Sequence, residues 1–498
     1  MSRSIISRRD FLKLAGSACA AGATAPFHAH GDASPENVMT RPNIVVILVD
    51  QQHFGMLSCA GNPWVHTPNL DRLAATGIRF GKTYVTNPVC VPSRFSMQTG
   101  RMPGEAGVFT NRAGWDMTPE AAQAWTRRGT IASLLKTADY ETAYAGKVHF
   151  VDGLRPADMG YDLFDRGDGR QETAEWCARY LRTPKSRPFL LFASLINPHD
   201  IYRYGVNAKR RAANEPPADD AATRLVDSMI AEALAGTDPD RFIEEHCPPL
   251  PDNFAPTVNE SEYEYRLNLR HAQRYTPQAD WTTRDWRLRR WLYARLTERM
   301  DAEVGVITSV LREAGLERET LVIFTSDHGE MDGAHGRAEK RHTYEPSVRV
   351  PFIAAKPGAI APGLLDERHL VSNGLDLLPT LCDYAGIAPP QGLQGLSLRP
   401  LMEGRATDWR THVATESEDC RMIRTRRHKY CAYRGGVRRE MLLDLDEDPG
   451  ETRNLADAPE YRHVLAEHRA LMAEWLARTG DREAGVYTLG PGGSPTPA

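Results

Sequence analysis

Four short stretches of almost unbroken apolar sequence, each ending on polar residues, restrict this chain to one class of fold. They are Asn43-Ile-Val-Val-Ile-Leu-Val49, Glu141-Thr-Ala-Tyr-Ala145, Phe189-Leu-Leu-Phe-Ala-Ser194 and Leu321-Val-Ile-Phe-Thr-Ser326. Runs of this length without polar alternation suit strands buried on both faces, as in parallel sheets covered by helices. Amphipathic segments at Thr67–Gly77, Thr130–Asp139, Glu172–Leu181 and Asp285–Ala314 supply the helices, and Asp376-Leu-Leu-Pro-Thr-Leu is read as another. The expected fold class is α/β: a large mixed, mostly parallel sheet sandwiched by helices. The residues just after each strand are equally regular: Asp50-Gln51, Gly146-Lys147-Val-His149, Asn197-Pro198-His199-Asp200 and Asp327-His328-Gly329-Glu330. In open α/β sheets the carboxyl edge is where ligands bind.

The stretch Asn87-Pro-Val-Cys90-Val-Pro92-Ser93-Arg94-Phe-Ser-Met-Gln-Thr99-Gly100-Arg101 reads as a loop running into a helix. Pro92 suits the first turn, where its missing N–H would have had no intrahelical partner, and Gly100 suits the stop. Cys90 is then placed where free backbone N–H groups and the helix dipole favour an anion, with Arg94 one turn on and able to share it. A buried structural cysteine beside a surface arginine is the plainer reading of so short a pattern.

Cys90-x-Pro92-Ser93-Arg94, followed after four residues by Thr99-Gly100, resembles the signature of the sulfatase family, whose cysteine is oxidised after translation to formylglycine. Thr67-Pro-Asn-Leu-Asp71 and Gly333-Ala-His335-Gly336-Arg-Ala-Glu-Lys340, running into Tyr344-Glu345-Pro-Ser-Val-Arg349-Val-Pro351, extend the resemblance over nearly the whole chain. It implies an alkaline phosphatase-like sheet and hydrolysis of sulfuric esters. A hydrated aldehyde carries two hydroxyls on one carbon, so one oxygen can attack sulfur and the other can later expel sulfate. A metal ion would lower the pKa of the attacking hydroxyl, and cationic side chains would hold the sulfate oxygens.

Asp50 and Asp327, at the ends of two separate buried strands, would offer carboxylate oxygens to a hard divalent cation. As single residues, such aspartates are more often helix caps. Many sulfatases pair them with a further aspartate and an asparagine. Here the partners are Gln51 and His328, a set similar to that of phosphonate monoester hydrolases and choline sulfatases. The expected metal ligands are Asp50, Gln51, Asp327 and His328, with Cys90 completing the shell. Calcium ranks first on the family's habit. Manganese is the alternative, because an imidazole and one fewer carboxylate suit a transition ion. Lys147 and His149 alternate on an extended segment and should point the same way. By resemblance, Lys147 bridges the formylglycine and a sulfate oxygen, and His149 orients or deprotonates the hydrate. His199 is a candidate for binding sulfate and giving a proton to the leaving alcohol. Lys340 aligns with the family lysine on the sulfate and leaving oxygen. With Cys90 and Arg94 these complete the expected catalytic set. His53, His335 and Asp200 lie near motifs and are read as no more than pocket lining.

The remaining features set boundaries. At 498 residues the chain is too long for one small core, and a net charge of −4 leaves no basic field for nucleic acid. Ser7-Arg8-Arg9-Asp10-Phe11-Leu12-Lys13, followed by an Ala/Gly-rich run to Ala25, resembles a twin-arginine export signal. Its apolar part is too short for a permanent membrane span. The expected division is a signal peptide over 1–30 cleaved near Ala25 or Ala29, a catalytic domain over 40–410, and a small subdomain over 411–498 with a short antiparallel sheet and a final helix. The implied partners are a formylglycine-generating enzyme, the twin-arginine translocase and a sulfated small molecule or carbohydrate, and the implied location is periplasmic or secreted. Eight cysteines show no zinc spacing, and their pairing is open between thiols and disulfides. From Tyr202 to Asp280 periodicity fades, which suits either a solvated insertion or a substrate-recognising lid. Trp281, Trp286 and Trp291 either stack on a ligand or pack a helix. Alternative functions are phosphonate monoester or phosphodiester hydrolysis on the same scaffold and, with Cys90 unmodified, binding of a sulfated ligand without turnover.

Overall fold

The structure, a computed structural model, describes residues 41–111, 117–165, 167, 170–274 and 278–490; the signal segment lies outside them. The apolar runs are strands: β1 Asn43–Asp50, β3 Glu141–Gly146, β5 Phe189–Pro198 and β6 Thr320–Ser326. With β2 Ile78–Tyr84, β4 Leu163–Phe164, β7 Arg349–Ala355, β8 Leu364–Asp366 and β9 Val371–Ser372 they form a nine-stranded sheet. Its order is β4-β3-β5-β1-β6-β7-β2-β8, with β9 also on β2. The half from β4 to β6 is parallel, and β7 runs against both of its neighbours.

β1 shows why its sequence is apolar throughout. Ile44, Val46 and Leu48 pack on one side with Phe95, Ile131, Leu135 and Leu381. Val45, Ile47 and Val49 pack on the other with Leu70, Leu181, Met300 and Val304. Burying each such side chain contributes about 1.5–3 kcal/mol, so a charge at Val46 would break the layer. The helices that cover the sheet are close to those expected, including Pro68–Ala75, Ile131–Thr137, Gln171–Arg182, Thr283–Glu313 and Asn373–Ala385.

Strands β10 His412–Glu416, β11 Cys420–Thr425, β12 His428–Tyr433 and β13 Glu440–Asp444 form a separate antiparallel sheet in sequence order. One face packs on the helix Arg462–Thr479 through Tyr430, Leu442, Met472 and Trp475. The other shares a core with Tyr84, Met331, Tyr344 and Val348 of the main body, so the two sheets belong to one compact unit.

The described residues of the 202–280 region are not a structureless insertion. They form helices Tyr202–Ala212, Ala221–Leu234, Pro239–His246 and Glu262–Arg274. Tyr204, Val226, Phe242 and Ile243 pack against Trp291, Leu292 and Leu296 of the long helix. The tryptophans take part in this packing: Trp281 meets Trp286 edge-on at 4.8 Å, and Trp291 meets Phe242 at 5.4 Å. The described cysteines are all free thiols.

Candidate active site

Parallel register brings the site together. Val49 pairs with Ser326, so the next residues, Asp50 and Asp327, emerge side by side, and Asp50 is also opposite Pro198, which precedes His199. Cys90 is the first residue of the helix Cys90–Thr99, and Gly100 ends it with a φ of 67°. Every residue of that helix is buried, which its weak amphipathicity allows because it lies between the sheet and the helix Asn373–Ala385.

Around Cys90 Sγ stand His328 Nε2 at 3.1 Å, Lys340 Nζ at 3.1 Å and Asp50 Oδ1 at 3.9 Å. Burial and the Asp50 carboxylate oppose ionisation of the thiol, but Lys340, Lys147 and His328 outweigh them and hold its pKa well below the ordinary value. The two lysines also act on Asp50: despite complete burial, Lys147 at 2.5 Å and Lys340 keep its carboxyl well below the usual range. Asp327 is pushed up by burial and by Asp50 beside it. Burial pushes Lys340 down, yet Cys90, Asp50 and Glu339 more than reverse this and keep it a cation.

Arg94 departs from expectation. Instead of sharing an anion with Cys90, its buried guanidinium donates from Nε to Asp327 Oδ2 at 2.8 Å and from Nη2 to Asp50 Oδ2 at 3.2 Å. Nη1 donates to Ser194 Oγ at 2.7 Å and to the Lys147 carbonyl at 3.1 Å. Its planar fork therefore ties two strand-end carboxylates together, and facing outward would leave both without this countercharge.

Lys147 reaches the cluster through Asp50, but His149 is turned by a different backbone. The segment after β3 is not extended at that point: His149 has φ +41°, so the two side chains do not alternate as a strand would place them. His149 Nδ1 is buried without a hydrogen-bond partner among the described residues. His199 sits with Nε2 4.0 Å from Asp50 Oδ1, and burial together with Lys147 lowers its pKa well below the ordinary value. His53 stacks on Tyr293, His335 stacks on Tyr344, and Asp200 accepts from Arg170; none of these contacts is to the Cys90 cluster.

The donor set fits a divalent cation. One ligand atom each from Asp50, Cys90, Asp327 and His328 lies within 4.8 Å of the others, and all four residues are buried. His328 Nδ1 faces the Gly329 carbonyl at 2.9 Å, which sets that nitrogen as a donor and leaves Nε2 directed at the cluster, where it would give its lone pair to a bound cation. Gln51 Oε1 accepts at 3.1 Å from Lys340 Nζ, the ammonium group that also lies 3.1 Å from Cys90 Sγ. Gln51 itself has φ +70°, a conformation that costs a non-glycine residue about 1–3 kcal/mol. Two hydrogen bonds brace it: Tyr293 Oη donates to its carbonyl at 2.6 Å, and its N–H donates to Asp327 Oδ1 at 3.2 Å.

Sequence reasoning did not find Ser194, Arg289, Tyr293, Glu330 or Glu339 as supports of this site. Glu330 and Glu339 fall inside motif segments and could have been noticed there. Arg289 and Tyr293 lie in a long helix whose pattern signals only packing.

The comparisons with known proteins agree with this geometry. The family model described as sulfatase matches residues 42–387, and one described as the C-terminal part of N-sulphoglucosamine sulphohydrolase matches 333–477. Residues 6–25 match the twin-arginine translocation signal, which marks the chain for export by that route. A Delta 4,5-hexuronate-2-O-sulfatase of Bacteroides thetaiotaomicron is 29% identical over 465 residues, 89% of this chain and 90% of the relative. Among solved structures, a 2-O GAG sulfatase superposes with a TM-score of 0.72 at 28% identity, covering 89% of this chain and 93% of that one. The phosphonate monoester hydrolase of Agrobacterium radiobacter shares the fold, with a TM-score of 0.67 at 21% identity over 88% and 96% of the two chains. Cys90, the strand-end carboxylates and Lys340 all fall within the matched span, and the chain belongs to the sulfatase family.

Proposed function

We propose that this sulfatase works through a formylglycine made from Cys90 and one divalent cation, calcium first and manganese second, held by Asp50, Gln51, Asp327, His328 and residue 90. The observation that carries the reading is the position of Cys90 Sγ, 3.1 Å from both Lys340 Nζ and His328 Nε2 in a fully buried cluster. The hydrated aldehyde would supply two hydroxyls on one carbon, and the cation would acidify one of them and draw charge from the sulfate oxygens. The chain's own residues do the rest. Lys147 beside Asp50 and Lys340 beside Cys90 supply positive charge where a sulfuryl group gathers negative charge. His199 is held uncharged at neutral pH by burial and by Lys147, so it offers one neutral N–H to the leaving oxygen. Arg94 keeps both carboxylates in place without touching substrate. His149 is assigned to orienting the nucleophile, in keeping with its buried, unpartnered Nδ1.

A sulfated carbohydrate is the substrate class favoured by the names of the relatives, a hexuronate sulfatase and a glycosaminoglycan sulfatase. The Gln51 and His328 pair supports a second reading, hydrolysis of phosphonate monoesters or phosphodiesters. Mass measurement of the tryptic peptide containing Cys90 tests the modification, with conversion expected in active protein and an intact thiol refuting it. Rates on matched aryl sulfate, sulfamate and phosphonate esters separate the two activities, and sulfate esters should be fastest.

A further inference from the structure

The side chain of Gln51 is an expected metal ligand whose orientation is not fixed by its own chemistry. An amide presents an oxygen on one side and an NH2 on the other, and only the oxygen can serve a cation. Its surroundings decide the matter. Nε2 donates to Glu330 Oε2 at 2.6 Å and to Glu339 Oε2 at 3.2 Å, while Oε1 accepts from Lys340 Nζ at 3.1 Å. The reversed amide would set its oxygen against two carboxylates and its NH2 against an ammonium group, losing three hydrogen bonds in a buried place. Glu330 is itself held by three donors. Its Oε1 accepts from Arg289 Nη2 at 2.9 Å and from the backbone N–H groups of Asp332 at 3.1 Å and Glu339 at 2.7 Å. Arg289, Glu330 and Gln51 are all completely buried.

We propose that Glu330, anchored by Arg289 and assisted by Glu339, is a positioning residue that locks the Gln51 amide with its oxygen toward the cation site. The same contact calls for a neutral amide here: an aspartate or glutamate at position 51 would meet the Glu330 carboxylate directly. The inference rests on the metal-dependent reading above.

In Glu330→Gln, the three donors on Oε1 hold the new amide by its oxygen, and its NH2 turns toward Gln51 Nε2. Donor then faces donor, and the Gln51 amide is released or reversed. Titration of the metal-free protein with Mn²⁺ by calorimetry should show binding weakened by about tenfold or more, the usual scale for losing such a support. Circular dichroism and the melting temperature of the metal-free variant check that it is folded. The discriminating measurement is the cycle with Gln51→Ala. If Glu330 acts through the amide, Glu330→Gln weakens binding in the parent and has no further effect in the Gln51→Ala background. Unchanged affinity in Glu330→Gln, or an equal loss in both backgrounds, overturns the inference and leaves the metal reading standing. Failure of the wild-type protein to bind Mn²⁺ or Ca²⁺ would remove the metal reading, and this inference with it. Should Glu330→Gln not fold, Glu339→Gln carries the same cycle on the second acceptor, with a smaller expected loss because its contact is longer.

Discussion

Arg94 provides the sharpest test of how the site is held together. In Arg94→Met the side chain keeps much of its bulk but loses the guanidinium, so Asp327 and Asp50 lose contacts of 2.8 and 3.2 Å in a region with no solvent access. Removing one partner of a buried ion pair costs about 3–5 kcal/mol, because the remaining charge is left uncompensated. Asp50 keeps Lys147 at 2.5 Å, whereas Asp327 keeps His328 at 3.6 Å and the neutral Gln51 N–H at 3.2 Å, so most of the cost falls on Asp327. For roughly 450 residues the unfolding entropy is about 0.9 kcal/mol/K, which converts that loss to a melting temperature lower by roughly 3–5 °C. The assay is thermal unfolding after treatment with a chelator, repeated with excess divalent cation, which supplies a substitute countercharge and should return part of the loss. Arg94→Lys should fall between the two proteins, since one ammonium group cannot replace a fork that makes four hydrogen bonds. A variant Arg94→Met that melts with the wild type in the chelator would refute this account.

Other predictions address the chemistry and the C-terminal sheet. Cys90→Ser should release about one equivalent of alcohol per enzyme and gain one sulfo group, visible by intact mass, with almost no turnover, because a single hydroxyl can attack but offers no second oxygen to expel sulfate. Turnover at the wild-type rate would rule that out. His199→Ala should slow alkyl sulfates more than nitrophenyl sulfate, since a poor leaving group depends more on the N–H hydrogen bond at its oxygen; equal losses on both would remove that role. Burial pushes Glu416, at the end of β10, up to about 7, although the Gly104 N–H donates to it at 2.7 Å. The folded protein therefore holds this proton more tightly than the unfolded chain does. The resulting stability is fully present below about pH 4.5 and is lost as pH rises through 7, by up to roughly 3 kcal/mol. Glu416→Gln keeps the uncharged form, so its melting temperature should fall less between pH 5 and pH 8 than that of the wild type. Parallel melting curves for the two proteins would show that Glu416 does not contribute.

The sequence alone determined the layers of this protein and the edge on which its chemistry lies. An apolar run without alternation can be buried only on both faces, and a helix that starts near Pro92 and stops at Gly100 is specified by local backbone constraints, so β1, β5, β6 and the place of Cys90 were legible before any tertiary contact was known. The 202–280 helices were not, because prolines and charges interrupt their pattern and their apolar faces match only the long helix they cover. Orientation within the site was decided by tertiary structure. Arg94 engages Asp50 and Asp327 because the fold brings these carboxylates, 44 and 233 residues from it in sequence, within hydrogen-bonding distance. His149 breaks the expected alternation through a positive φ, which a period-two reading cannot anticipate. The Gln51 amide has no preferred direction until Glu330, 279 residues later, accepts from one end of it. Patterns of burial are local properties that residue types carry with them, whereas the direction of a polar side chain is set by whichever partner the fold brings within about 3 Å, and a sequence read in order does not contain that distance.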